Sequence, residues 1–182
     1  IDRDALKKFR NRSLNINRPT SMGMAENEDI FFQSVEARNK DYERVIEVVT
    51  NYMDKINEIQ KTDYRPFNYY GAKDAKYVLI AMGSVTSTIR MVVEELTNKG
   101  ESVGLVLVHL YRPFSSKLLL DILPKSTRRV AVLDRTKEAG SIGEPLYLDV
   151  LGALKDTNID VYGGRYGLSS KNTTPSDIMG LF

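Results

Sequence analysis

The sequence predicts an α/β fold: a three-layer αβα sandwich on a mainly parallel sheet, preceded by an irregular arm and a long connector helix. Three observations predict it. From Tyr77 onward, apolar runs of four to eight residues alternate with amphipathic helical stretches, the rhythm of strands joined by helical crossovers. Those runs are solid rather than alternating, as expected of strands buried on both faces. Between Asn39 and Thr62, apolar residues recur every three or four positions in one continuous stripe.

The elements follow in order. Residues 1 to 38 are polar and weakly periodic. Asp4 to Arg10 suits a short helix, and Asn15 to Glu28 reads as loop, broken by Pro19 and Gly23. Ile30-Phe31-Phe32 is an apolar knot between charges, able to anchor the arm on a neighbouring domain or to pack locally. The helix from Asn39 carries Tyr42, Val45, Ile46, Val49, Tyr52, Met53, Ile56 and Ile59 on one face, with Asn39 placed to cap it. Its length suggests a connector lying across more than one surface. Asp63 to Gly71 reads as a tyrosine-rich loop.

Tyr77 to Met82 is the first strand of the α/β region. Gly83-Ser84 turns into a helix, with Ser84 as N-cap and Ile89, Val92, Val93 and Leu96 buried. Asn98-Lys99-Gly100 stops that helix. Val103 to Leu110 is the second strand. Phe114 to Leu123 is a helix opened by Pro113 and Ser115. Arg129 to Leu133 is the third strand, and Asp134 to Gly143 a loop. Glu144 to Lys155 is a helix whose Glu-Pro start suits a helix N-terminus. Ile159 to Tyr162 is the fourth strand, and Pro175 to Phe182 opens another helix.

Open α/β sheets meet ligands at the carboxyl ends of their strands. The distinctive segments all fall there: Gly83-Ser84, Arg112-Pro113, Asp134 to Glu138, and Gly163 to Lys171. Parallel strands put all four on one rim, whereas an antiparallel strand removes its own loop from the set.

Composition excludes several classes. A length of 182 residues fits one domain plus an appendage, and 42% hydrophobic residues suffice for a core. A formal charge of +2 gives no basic field for nucleic acid. Cysteine is absent, so there is no disulfide, thiol nucleophile or thiolate metal site, which fits a cytoplasmic protein. The longest apolar run, Val103 to Tyr111, is far short of the roughly 20 residues that span a bilayer, so no membrane partner is expected.

Four candidate sites stand out. Met82-Gly83-Ser84 resembles a dinucleotide turn but lacks the G-x-G-x-x-G pattern, and a tight strand-to-helix turn explains it without a ligand. His109, the one histidine, lies near the end of an apolar strand with no partner or nucleophile suggested, which favours packing over catalysis. A single histidine also argues against a transition-metal site. Asp134, Arg135, Lys137 and Glu138 form either a catalytic group or loop-holding ion pairs. In Gly163-Gly164-Arg165-Tyr166-Gly167-Leu168-Ser169-Ser170-Lys171, glycines, hydroxyls and cations crowd together. That turn is either solvated or a cradle for a phosphate-bearing ligand.

Several segments together resemble pyruvate:ferredoxin (or flavodoxin) oxidoreductases. The strongest are Val130-Ala131-Val132-Leu133-Asp134-Arg135-Thr136-Lys137-Glu138 and Gly143-Glu144-Pro145-Leu146-Tyr147-Leu148-Asp149-Val150. Arg112 to Ser115, Tyr69 to Ala72, Ala81 to Ser84, Ala25 to Gln33 and the Gly163 to Lys171 turn follow the family's order. Met22-Gly23-Met24 departs from the usual arginine–glycine–threonine.

The resemblance implies a piece of a large enzyme. Residues 1 to 66 look like the end of the pyrimidine-binding domain and the helical connector after it. Residues 67 to 163 look like the transketolase C-terminal-like domain, and 164 to 182 like the passage into the next domain. It implies that Gly167, Leu168, Ser169, Ser170 and Lys171 contact coenzyme A. It further implies an intact, cytoplasmic, homodimeric enzyme using thiamine diphosphate, magnesium and 4Fe-4S clusters. That enzyme would pass electrons to ferredoxin or flavodoxin. The piece itself holds none of those cofactors complete, and it is expected to be inactive alone, with a structural role and one coenzyme A-contacting loop. Two other readings stand beside this one: a free-standing nucleotide-binding α/β module, and the same domain of another 2-oxoacid oxidoreductase.

Overall fold

The computed structural model describes residues 1–20 and 25–182. The expectation attached to Met22-Gly23-Met24 lies outside them. The chain falls into two compact units, residues 1–40 and 41–182.

The first unit carries two short helices. In α1 (Arg3–Arg10) the Asp2 carboxylate accepts the backbone N–H groups of Asp4 and Ala5 at 2.9 and 3.0 Å, an acidic N-cap facing the positive helix end. The apolar knot at Ile30 is not irregular. It opens α2 (Phe31–Ala37), whose Phe31 and Phe32 remain exposed.

The second unit opens on α3 (Asn39–Gln60), a 22-residue helix with no fully buried side chain. Asn39 does not cap it as expected; its amide donates to the Glu36 carboxylate at 2.9 Å. The stripe is half-covered at Val45, Ile46, Val49 and Met53 and exposed at Tyr52 and Ile59. The far end is tied down. Asn57 exchanges hydrogen bonds with the backbone of Tyr64 and accepts from Thr62, while Lys61 turns the chain at a φ of 56°.

The sheet has five strands in the order β1-β3-β2-β4-β5. β1 (Phe67–Gly71) replaces half of the expected tyrosine-rich loop. Its Asn, Pro and Tyr content resembles a turn, but aromatic side chains suit a pleated surface, and an edge strand tolerates the preceding proline. β1 is antiparallel to β3 (Val103–Val108), with Phe67 opposite Val108 and Gly71 opposite Gly104. Strands β2 (Tyr77–Met82), β3, β4 (Arg129–Asp134) and β5 (Asp160–Arg165) are mutually parallel. Tyr77 lies level with Val103 and Arg129, and Arg129 with Asp160, so their carboxyl ends line up on one rim.

Both faces are covered, which makes three layers. Val78, Ile80, Val106, Val130 and Val132 face α5 (Ser116–Ile122) and α6 (Pro145–Leu154). Leu79, Ala81, Leu105 and Leu133 face α4 (Val85–Asn98), helped by Ile178 of the short α7 (Pro175–Met179). This alternation along strands buried on both sides explains why each reads as one solid apolar run. Ser115 caps α5 as expected. Ser84 does not cap α4; Thr86 instead donates its hydroxyl and its N–H to the Gly83 carbonyl. Thr174 and Asp177 form a reciprocal capping box on α7.

The N-terminus of α6 is capped from outside its own sequence. The Asp134 carboxylate, at the end of β4 and only 2% exposed, accepts the N–H groups of Leu146 and Tyr147, both at 3.0 Å. A buried carboxylate tolerates desolvation only with such partners.

Two stability predictions follow from these contacts. Gly71 has a φ of +124°, and a Cβ there would lie 2.5 Å from the Val103 carbonyl oxygen and 2.7 Å from the Gly104 Cα. Gly71→Ala should cost about 2–3 kcal/mol through strain and backbone overlap, read as a lower urea midpoint at unchanged m. Asp134→Ala leaves two helix N–H groups unpaired in the core and should cost about 1–2 kcal/mol in the same assay.

Candidate functional site

The rim holds the loops after β2, β3, β4 and β5, and the structure divides them into anchored and free chemistry. Arg112, after β3, reaches back to Asp149 of α6 at 2.7 Å and lies 3.9 Å from the centre of the Tyr111 ring. It braces a helix. His109 sits edge-on to Tyr64, ring centres 5.4 Å apart, and desolvation pushes its pKa down. Neither arrangement presents a nucleophile or a base–nucleophile pair.

The loop after β4 divides into separate roles. Asp134 caps α6, and desolvation raises its pKa against the lowering effect of the Leu146 and Tyr147 N–H groups. Glu144, 4% exposed, is a hub: it accepts from Arg165 at 3.1 Å, lies 3.9 Å from the Lys137 ammonium, and accepts the Glu138 N–H at 3.3 Å. Desolvation pushes the Glu144 pKa up. The Glu138 N–H, Arg165 and Lys137 outweigh it and hold the carboxyl below the usual glutamate value. These contacts favour loop-holding for Asp134 and Lys137. Glu144 and Arg165 lie 21 residues apart, so sequence order alone does not pair them.

The glycine-rich segment is not all turn. Gly163, Gly164 and Arg165 belong to β5. A Cβ on Gly163 would meet the Tyr147 ring at 3.0 Å, and one on Gly164 would meet Leu133 at 3.0 Å. These glycines admit close packing against neighbouring side chains. Arg165 is engaged by Glu144, so the two glycines and this arginine are part of the sheet and its bracing.

The turn proper runs from Tyr166 to Lys171. Gly167 has a φ of 59°, and Ser169 and Ser170 adopt 52° and 61°, left-handed values that cost a residue with a Cβ on the order of 1 kcal/mol each. A short 3₁₀ turn, Leu168–Ser170, closes with the Lys171 N–H on the Leu168 carbonyl at 3.1 Å. The conformation is held from outside. The Tyr166 N–H donates to the Asp134 carbonyl at 3.1 Å, and the Arg135 Nε donates to the Gly167 carbonyl, also at 3.1 Å.

Two clefts border this turn. One, of about 200 Å³, lies between the turn and the start of α4, with Ser84, Thr88, Arg135, Ser170, Lys171 and Thr173 on its walls. The other, of about 280 Å³, lies on the opposite side of Lys171 and includes Arg165, Leu168 and Asp177. Among the described residues, Arg135 and Lys171 form no ion pair. Among them, too, no group of three or more carboxylate or imidazole side chains is placed to hold a metal ion, and no helix is long and apolar enough to cross a membrane.

The Glu144 network gives an acid-side prediction. Its pKa is depressed, so its stabilisation is fully present above the ordinary glutamate value and is lost as pH falls through the lowered one. Asp134 is raised and has the opposite sign, so it cannot supply that loss. Thermal melts should show the wild-type Tm falling below about pH 4. Glu144→Gln should start lower at neutral pH and decline less in acid.

Residues 75–178 match the family described as pyruvate:ferredoxin oxidoreductase core domain II. Across its full length, the chain is 49% identical to a pyruvate-flavodoxin oxidoreductase of Enterobacter agglomerans and 47% identical to a pyruvate:ferredoxin oxidoreductase of Moorella thermoacetica. It spans 16% of the length of each. A solved 2-oxoglutarate:ferredoxin oxidoreductase from Magnetococcus marinus shares the fold, with a TM-score of 0.50 over 86% of this chain and 23% of that one, at 17% identity. With a matching core-domain region and near-half identity along its entire length, the chain belongs to the pyruvate:ferredoxin oxidoreductase family.

Proposed function

We propose that this chain is a structural and coenzyme A-contacting domain within an oxidoreductase that converts pyruvate and coenzyme A to acetyl-CoA and carbon dioxide. The electron pair released from pyruvate passes to ferredoxin or flavodoxin. The observation that carries the reading is the turn from Gly167 to Lys171. It is a strained, externally braced turn at the carboxyl rim, with exposed hydroxyls and an ammonium that forms no ion pair among the described residues. The relatives are named for pyruvate oxidation, and the Magnetococcus marinus neighbour was solved with 2-oxoglutarate, coenzyme A and succinyl-CoA bound. Residues 1 to 66, 67 to 163 and 164 to 182 correspond, on this reading, to the end of the pyrimidine-binding domain with its connector, the transketolase C-terminal-like domain, and the passage to the next domain.

In this role Gly167, Leu168, Ser169, Ser170 and Lys171 bind and orient coenzyme A. The left-handed residues fix the turn before the ligand arrives. Ser169 and Ser170 offer hydroxyl donors, and Lys171 supplies a point charge suited to phosphate. Leu168, 43% exposed, offers an apolar surface beside them.

The residues of this chain do not fit thiamine diphosphate, magnesium or iron–sulfur clusters. The sequence has no cysteine, and the described carboxylates form no metal-holding group. On this reading those groups and electron transfer fall to other parts of the polypeptide, and the intact enzyme is a cytoplasmic homodimer.

In the full-length protein, Lys171→Ala should raise the KM for coenzyme A about 10-fold or more, the worth of one charge-assisted contact of about 1.5–3 kcal/mol. The KM for pyruvate should stay within about twofold. An unchanged coenzyme A KM overturns the reading. Tight calorimetric binding of nicotinamide or adenine nucleotides without a coenzyme A response favours the nucleotide-binding module instead.

A further inference from the structure

The smaller cleft beside the turn sits where the topology changes direction. β2 and β4 are neighbours in the sheet. The chain leaving β2 crosses to the face of α4, and the chain leaving β4 crosses to the face of α6. Their loops therefore diverge at adjacent carboxyl ends, the topological switch point at which open α/β sheets receive ligands. Ser84, Val85 and Thr88 come from the first loop and its helix, and Arg135 comes from the second. The turn after β5 closes the third side with Ser170 and Lys171.

The walls are chemically one-sided. Among the described residues, arginine, lysine and hydroxyl side chains line the cleft, and no carboxylate does. Ser84, freed from capping α4, keeps its hydroxyl available. Among the described residues, Arg135 uses only its Nε, on Gly167, and the terminal nitrogens of its guanidinium have no hydrogen-bond partner. The larger cleft differs, because Asp177 lines it. At about 200 Å³ the smaller cleft is below the roughly 300–1,000 Å³ of sites that enclose a whole small molecule. It suits one charged group of a larger ligand.

We infer that this switch-point cleft is a phosphate subsite in which Arg135 is a second ligand-binding cation, opposite Lys171. Arg135 thus has two tasks on one side chain. Its Nε holds the Gly167 carbonyl and with it the turn. Its terminal nitrogens form the planar fork that matches phosphate oxygens. The inference rests on the coenzyme A reading above and deepens it by assigning a residue outside the Gly167–Lys171 turn.

The test uses the full-length protein carrying this chain, with Arg135→Gln, Arg135→Lys and Lys171→Ala, each assayed with coenzyme A, with dephospho-coenzyme A and with pantetheine. Arg135→Gln should raise the coenzyme A KM about 10-fold, with Arg135→Lys intermediate and the pyruvate KM within about twofold, a split that global unfolding would not give. An effect that disappears with dephospho-coenzyme A assigns the cleft to the 3′-phosphate. One that persists with dephospho-coenzyme A but disappears with pantetheine, which carries no phosphate, assigns it to the diphosphate; one that persists with pantetheine as well marks Arg135 as a brace of the turn and overturns the subsite. If Lys171→Ala raises the coenzyme A KM and Arg135→Gln leaves it within twofold, the subsite is wrong and the turn reading survives. If neither changes it, both fail. Should Arg135→Gln be poorly folded by thermal melt, the Arg135→Lys result decides between the same outcomes.

Discussion

Asp134 is the residue on which the rim depends. Its carboxylate, buried at the end of β4, satisfies the first N–H groups of α6, and its carbonyl receives the Tyr166 N–H after β5. One residue thus fixes where a helix begins and where the next loop departs. The arrangement is electrostatically demanding, since desolvation works against the ionised form and only the two N–H bonds oppose it. Placing Arg135 immediately after this anchor aims a long cationic side chain at the turn with little freedom in its starting point. The Glu144 hub adds a second brace from α6 to β5 through Arg165. Sheet, helix and turn are therefore linked by polar contacts at the edge where the apolar core stops.

The glycines of the closing segment divide their labour. Gly163 and Gly164 lie in a strand and make room for Tyr147 and Leu133, so their small size serves packing. Gly167 lies in the turn with positive φ, and the space a Cβ would need is filled by Arg135. Ser169 and Ser170 hold the same backbone region without glycine's freedom. Such conformations persist only where the surroundings over-determine them. Here the Tyr166–Asp134 and Arg135–Gly167 bonds supply the constraint.

Much of this was readable from residue order. Strands β2 to β5 announce themselves because burial on both faces requires continuous apolar runs. The carboxyl rim follows from topology once those strands are parallel. β1 was hidden because Asn68, the paired tyrosines and Pro66 imitate a loop, while its strand character comes from pairing with β3 about 35 residues away. The helix at Phe31 was hidden by a sequence too short to show a period. Ser84 looks like an N-cap in sequence, but the Thr86 N–H already finds the Gly83 carbonyl. The Gly163–Lys171 segment looks like one turn in sequence. Its division into strand and turn comes from pairing with β4, which ends where Arg165 lies opposite Asp134. Sequence order sets Arg135 only beside Asp134 and Lys137, since its partner Gly167 is 32 residues on.

The antiparallel direction of β1 has a mechanical consequence. Its first residue, Phe67, pairs with the last residue of β3, and the preceding Pro66 carbonyl accepts the N–H groups of His109 and Leu110. The connector from α3 therefore enters the sheet at the carboxyl rim. Tension arriving along that connector loads this end of the ladder first and opens it pair by pair, like a zipper. Load entering by that route reaches β3, and through it β2 and β4, only after β1 has parted. For that direction of pull the β1 edge is the weak seam, and the strands flanked on both sides are the part that holds.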